Sequence, residues 1–318
     1  MLRTTKTRWR LVASAAVLAG SALVAAGCSS SGSTGVPGAD NGSATPTSAA
    51  DDLYANALVA DAAAIIPGST MEAIKQRGKL IVAEALDAPL LSQQDPTTGE
   101  VTGFDADLAK LLAIYILGEP NVEIVPPSTQ TREAMLQNGT VDVVFNTYTI
   151  TTARAEQVDF AGPYFSDGLA VAVKSNNTDI KGIGDLAGKN VIVGADTPAV
   201  TEVPAQQPTA TLISFGTDPE AIQALIQGRG DAYVNDETLL ASDAAGNPQI
   251  KVVGDTFTSE GYGIGLKHDD SQFKDFINNW LTQIESNGTW GKVWKATLGT
   301  VVEADIPTPP AIGSVPGS

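Results

Sequence analysis

Residues 136–146, LQNGTVDVVFN, return 89 positions later as residues 225–235, LIQGRGDAYVN, and both copies read L-x-x-G-x-x-D-x-x-x-N. In each copy the glycine falls where a helix needs a left-handed residue to stop. The aspartate then opens a strand and the asparagine closes it. In open α/β sheets that carboxyl end of the strand faces the ligand crevice. Polar residues follow at once in both copies, Thr147 and Thr149 in the first and Asp236 in the second. A chance match of common helix-glycine-strand syntax is the competing explanation for the echo.

Working outward, hydrophobic spacing predicts a strand at 80–85, an amphipathic helix at 104–117, a strand at 122–125, a helix at 131–138 and a strand at 141–145. This is a βαβαβ order. A second series follows, with strands at 191–194, 212–215, 232–235 and 250–253 and helices at 218–227 and 237–244. The pattern predicts an α/β protein of two lobes, each built on a parallel sheet.

The residues after the first copy carry the chemistry. Asn146 begins NTYTITTARAEQV, which places Arg154 five positions after Thr149, and Asp159-Phe160 and Pro163-Tyr164 follow. A guanidinium presents two parallel donors that fix both the position and the orientation of a carboxylate. The carboxylate inferred here is that of an amino acid. Spacing alone favours the plainer reading, a surface ion pair for Arg154 and a simple strand preference for the threonines.

Composition narrows the partners. The chain has 318 residues, 43% of them hydrophobic, with 19 Lys and Arg against 36 Asp and Glu, a net charge of −17. Arg3, Lys6, Arg8 and Arg10 precede an apolar run at 11–26, the pattern of a signal peptide over residues 1–27. Its removal leaves 15 basic against 36 acidic side chains, or −21, which excludes nucleic acid as a natural partner. The single cysteine, Cys28, follows Ala25-Ala26-Gly27. This context resembles a bacterial lipobox, so Cys28 is expected to carry a lipid that holds the protein outside the cytoplasm at the cell membrane.

Residues 28–68 are expected to form a tether, flexible at its Ser/Gly/Thr/Pro-rich start. A helix-forming stretch at 52–66 either docks on the body or stays in the tether. Residues 301–318, rich in Pro and Gly, are expected to be disordered. No His/Cys cluster has metal-ligand spacing and no phosphate-binding glycine loop is present, so neither metal nor cofactor is expected.

Four motifs in order, GFDADLA at 103–109, the 146–164 segment, LAGKNVIV at 186–193 and Asn235-Asp236-Glu237, resemble the extracellular solute-binding proteins, family 3, of polar amino-acid ABC importers. Within that family the chain is most similar to actinobacterial glutamate- and glutamine-binding lipoproteins, which share a stretch like DPTTGE at 95–100. The resemblance implies the two-lobed periplasmic-binding-protein type II fold. Lobe 1 would comprise 69–167 plus 260–300 and lobe 2 168–259, with crossing hinge strands at 168–173 and 258–266. Glycines 261, 263 and 265 fit either a hinge or a closely packed strand.

The resemblance further implies that Arg154, Thr149 and Thr197 hold an α-carboxylate, and that Asp236, with groups around Thr147, receives the α-ammonium. Asp87 would lie near the ligand's side chain, or serve only as a turn aspartate. The implied function is capture of glutamine or glutamate by a monomer and delivery to an importer permease, without catalysis. Two alternatives remain: a sensor read by a membrane signalling partner, and a dehydratase-like enzyme on the same fold.

Overall fold

The computed structural model describes residues 53–301 and 305–318. The leader and Cys28 lie outside the described residues. The chain enters as one helical turn at 53–55, runs extended, and reaches α1 (Thr70–Arg77) and β1 (Leu80–Ala83). A small antiparallel meander follows, β2 (Asp87–Ala88), β3 (Ser92–Gln94) and β4 (Val101–Thr102), then α2 (Phe104–Leu117), β5 (Val122–Val125), α3 (Arg132–Gln137), β6 (Val143–Val144), α4 (Thr152–Ala155) and β7 (Asp159–Asp167). Lobe 2 contains β8 (Leu169–Lys174), β9 (Asn190–Gly194), α5 (Ala199–Gln206), β10 (Thr211–Phe215), α6 (Asp218–Ile226), β11 (Ala232–Asp236), α7 (Glu237–Gly246) and β12 (Ile250–Val253). The chain returns to lobe 1 through β13 (Glu260–Leu266), α8 (Ser271–Ser286) and α9 (Thr289–Ala296).

Each lobe is a five-stranded sheet, ordered β5-β1-β6-β13-β7 in lobe 1 and β10-β9-β11-β8-β12 in lobe 2. Three strands in each run parallel and carry the βα syntax of the sequence; the crossover strands pair antiparallel, β13 with β6 and β7, and β8 with β11 and β12. Helix α2 is apolar on nearly every face and is buried between the sheet and the α8–α9 pair. Trp280, Trp290 and Trp294 belong to this core, and the indole N–H of Trp290 donates to the Tyr164 carbonyl at 2.9 Å.

The crossovers are shorter than the strands at 168–173 and 258–266 that the resemblance implied. Residues 169–173 and 260–266 are sheet strands, and the chain passes between lobes at Asp167-Gly168 and at 254–259. Gly168 is required there, because a Cβ would stand 2.3 Å from the Thr258 carbonyl oxygen of the adjacent crossover. Glycines 261, 263 and 265 instead leave room for the side chains of Val315 and Pro163, Ile150 and Phe160, and Tyr148 and Leu136, so they are packing glycines.

At the first end the 52–66 stretch docks on the body, one of its two expected alternatives, but not as an α-helix, and at the other end the tail is ordered where disorder was expected. Residues 56–66 are not an α-helix; after the 53–55 turn, Leu53, Tyr54, Ala57, Leu58, Ala60 and Ile65 pack on the lobe 1 core, and the Tyr54 hydroxyl donates to Asp107 at 2.7 Å. Tertiary contact overrides the helix-favouring alanines. The tail at 305–318 is ordered against lobe 1, with Ile312 and Val315 in apolar clusters and the Gly313 N–H on the Gly162 carbonyl at 2.9 Å. Val315 beside Gly261 and Ile312 on the lobe 1 core outweigh the low-complexity composition.

Candidate functional site

The carboxyl ends of β1, β6, β9 and β11 converge on one cavity of about 190 Å³ between the lobes. Asp87, Thr147, Thr149, Arg154, Thr197 and Asp236 all line it. Lobe 1 supplies the first four and lobe 2 the last two.

Arg154 is carried by the single turn α4, whose first free N–H groups are capped by Thr151: its hydroxyl oxygen accepts from the Arg154 amide at 3.2 Å. The guanidinium is 8% exposed and lies over the Tyr148 ring, 4.8 Å from its centroid. Its Nη1 donates to the Thr149 carbonyl at 2.6 Å, its Nη2 donates across the cleft to the Asp196 carbonyl at 2.7 Å, and Glu133 stands 3.7 Å from Nε. A second bridge, from the Thr129 amide to the Gly216 carbonyl at 3.3 Å, joins the opposite rims. The lobes are therefore closed on each other at both sides of the cavity.

Asp236 ends β11 and opens α7, 5% exposed. Burial first, then the nearby carboxylates of Asp167 and Glu260, push its carboxyl well above the usual range, while the Tyr262 hydroxyl and the Arg154 charge oppose the rise. A buried acid under that pressure gains most from a cation placed beside it. The same carboxyl group neighbours the hinge: Asp167 accepts from the Tyr262 hydroxyl at 2.8 Å and from the Thr238 amide at 3.1 Å, and the Glu237 amide donates to the Gly168 carbonyl at 2.8 Å.

The threonines occupy the cavity wall but use their donors inside the protein. The Thr149 hydroxyl donates to Glu260 at 3.0 Å and its amide to the Thr147 carbonyl at 3.1 Å; the Thr197 hydroxyl donates to the Gly194 carbonyl at 2.8 Å. Thr147 takes a left-handed backbone, φ 43°, held by its amide's bond to Asp105 at 2.8 Å. Asp105 also accepts from the Tyr164 hydroxyl at 2.8 Å, and burial pushes its carboxyl up to about 6. Asp196, beside Thr197, is left-handed too, at φ 58°. Backbone strain of this kind gathers at sites where a carbonyl or amide must be aimed.

Several lining residues were not singled out from the sequence. Arg132, at the start of α3, is 2% exposed; its Nε donates to the Thr129 carbonyl at 3.2 Å and its Nη1 to the Asn146 carbonyl at 3.2 Å, while its Nη2 has no partner in the protein. Desolvation, and then the Arg154 charge, lower its guanidinium to about 10. Asp218 and Tyr233 also line the cavity, beside Asp105 and Asn235 of the motifs quoted from the sequence. Arg132 and Asp218 read in sequence as solvated first-turn charges of helices. The one available signal was the second asparagine of the echo, two residues beyond Tyr233. His268 does not line the cavity; it pairs with Asp159 at 3.0 Å. Among the described residues no group of three or more His, Cys, Asp or Glu is arranged to hold a metal ion.

Two α/β lobes closed over a polar cavity, with a buried guanidinium on one and a buried carboxyl on the other, define a two-lobed solute-binding protein. Residues 80–299 match the family model described as bacterial extracellular solute-binding proteins, family 3, and the chain belongs to that family. It is 35% identical over 277 residues to a glutamine-binding protein of Geobacillus stearothermophilus, covering 86% of this chain and 98% of that one. It is 31% identical over 248 residues to a glutamate-binding protein of Corynebacterium glutamicum, covering 73% and 83%. Among solved structures, an ancestral arginine-binding protein bound to glutamine superposes with a TM-score of 0.66 at 36% identity, covering 70% of this chain and 99% of that one. A solute receptor for L-cysteine from Neisseria gonorrhoeae gives a TM-score of 0.69 at 29% identity, covering 73% and 95%.

Proposed function

We propose that this protein captures a polar amino acid, glutamine or glutamate, between its lobes and delivers it to an ABC importer. The observation that carries this reading is the placement of Arg154 and Asp236, both buried, on opposite lobes of one cavity. The α-carboxylate takes the Arg154 fork and the α-ammonium takes Asp236, relieving the carboxylate crowding there. Only the closed form offers both partners, so the ligand shifts the population toward closure, which a permease reads. The relatives named as glutamine- and glutamate-binding proteins support the choice of ligand class.

In this reading Cys28 carries the lipid that anchors the protein outside the cytoplasm, and the protein acts as a monomer without catalysis. A thermal-shift screen across the twenty amino acids tests the reading. Ligand at a hundredfold excess over Kd stabilises by about 2.7 kcal/mol, so glutamine, glutamate or both are expected to raise Tm measurably. A flat response to all twenty would reject it.

A further inference from the structure

Beyond the Arg154–Asp236 pair, the cavity wall carries a second set of charges. Asp218, the first residue of α6 in lobe 2, and Asp87, on β2 in lobe 1, both line it. Burial first, and then the Asp87 charge, raise the Asp218 carboxyl, and α6 and β2 are in contact, so the two carboxyls lie within electrostatic reach across the cleft. Closure therefore brings like charges together unless something between them donates hydrogen bonds.

Asp218 is held as an acceptor by its surroundings. The Tyr233 hydroxyl donates to its Oδ1 at 2.7 Å, and the Asn235 amide donates to that hydroxyl at 2.5 Å, which orients it. Behind it, Asp243 on α7 shares a hydrogen bond with Asp218; burial, then the Asp218 charge, push the Asp243 carboxyl up to about 9. In that hydrogen bond Asp243 is the donor and Asp218 the acceptor, which opposes the rise that burial gives the Asp218 carboxyl. Near the same rim, Arg132 is 2% exposed and keeps Nη2 without a partner. Thr129 links the two places: its carbonyl accepts from Arg132 and its amide donates to Gly216, two residues before Asp218.

We propose that Asp218, facing Asp87 across the cleft, is a specificity-determining residue that selects a side-chain amide, with the Arg132 guanidinium taking the amide oxygen. An amide alone supplies both an acceptor for Arg132 and two N–H donors for the carboxylates. A side-chain carboxylate has no donor for Asp87 and Asp218, and a cationic side chain has donors for them but no acceptor for Arg132. The assignment rests on the amino-acid reading of the cavity and selects glutamine over glutamate within it.

The test is calorimetric titration of the protein and of Asp218→Asn with glutamine, glutamate and arginine, with Arg154→Ala in parallel. The wild type is expected to bind glutamine at least about tenfold more tightly than glutamate, and Asp218→Asn to narrow that ratio by about tenfold or more. Arg154→Ala weakens both ligands and leaves the ratio alone. Because burial and the Asp87 charge hold the Asp218 carboxyl above the ordinary aspartate range, it takes up a proton earlier than a free aspartate as pH falls, and the wild-type glutamine-to-glutamate ratio is expected to fall with it. This profile carries the test if the variant does not fold. A wild type that binds no amino acid rejects the amino-acid reading itself. Binding that favours glutamate or arginine, or a ratio unmoved by both Asp218→Asn and pH, overturns the role of Asp218 alone.

Discussion

The two copies of L-x-x-G-x-x-D-x-x-x-N build the same frame and then diverge in charge. In both, the leucine is fully buried and the glycine is left-handed, at φ 72° for Gly139 and 76° for Gly228. In both, the aspartate accepts from the amide at or near the start of the neighbouring parallel strand, Asp142 from Ile81 and Asp231 from Asn190, each at 2.8 Å. At the asparagine the copies part. Asn146 accepts from the Ala85 amide at 2.9 Å and its carbonyl holds Arg132, whereas Asn235 orients Tyr233 toward Asp218. Both cations of the cavity, Arg132 and Arg154, thus come from lobe 1, beside the carboxyls of Asp87 and Asp105, whereas lobe 2 offers only carboxyls, Asp236 and Asp218. A repeated scaffold carries the cavity's cations on one jaw only, which suits the proposed dipolar solute.

The comparison breaks first at the two poles. Arg154→Ala and Asp236→Ala each remove a charge-assisted contact of roughly 1.5–3 kcal/mol and leave an uncompensated charge or acid opposite, so each is expected to weaken binding by about a hundredfold or more. Calorimetry giving wild-type affinity in either variant, with folding intact by circular dichroism, would mean the jaws do not share a ligand.

A second effect is confined to lobe 1, where Thr147 depends on Asp105. The Asp105 carboxyl rises from 3.8 unfolded to about 6 in the fold, so the native state binds more protons between those values. Its contribution to stability is full below about pH 4 and is lost as pH rises through 6, amounting to about 3 kcal/mol. Asp105→Asn keeps an acceptor for the Thr147 amide without the charge. Its Tm relative to wild type is expected to climb from pH 4 to pH 7.5; a difference that does not change with pH would contradict the assignment. Smaller still is the contrast between the framework aspartates. Asp142→Ala strands the Ile81 amide and the Arg77 partner in a half-buried place, at a cost of about 1–3 kcal/mol in urea unfolding. Asp231→Ala, at an exposed position, costs less because water can serve the Asn190 amide. Equal costs would show that the two frames are not loaded as described.

Local patterns revealed the scaffold. Residues 104–117 and 122–125 fall where hydrophobic spacing put them, and α3 and β6 lie inside their expected spans. The arginine five places after Thr149 could be noticed because guanidinium chemistry is distinctive. Features set by tertiary packing were illegible. The alanine-rich 56–66 segment follows the lobe 1 surface instead of its own helix propensity, and the proline-rich tail is fixed by slots for Ile312 and Val315 that no local pattern records. Arg132 and Asp218 are first-turn charges of helices, and only the tertiary structure brings them into the cavity wall. The threonine hydroxyls were legible as site residues, yet their partners, Glu260 and the Gly194 carbonyl, come from distant or backbone positions.

Blocking the poles of the solute, one at a time, addresses the shared grip of Arg154 and Asp236 without altering the protein. Whichever of glutamine and glutamate binds more tightly would be titrated beside its N-acetyl form, which lacks the ammonium, and its α-amide form, which lacks the carboxylate. Both blocked forms are predicted to lose at least about a hundredfold in affinity. Retention of near-parent affinity by either one would contradict the account.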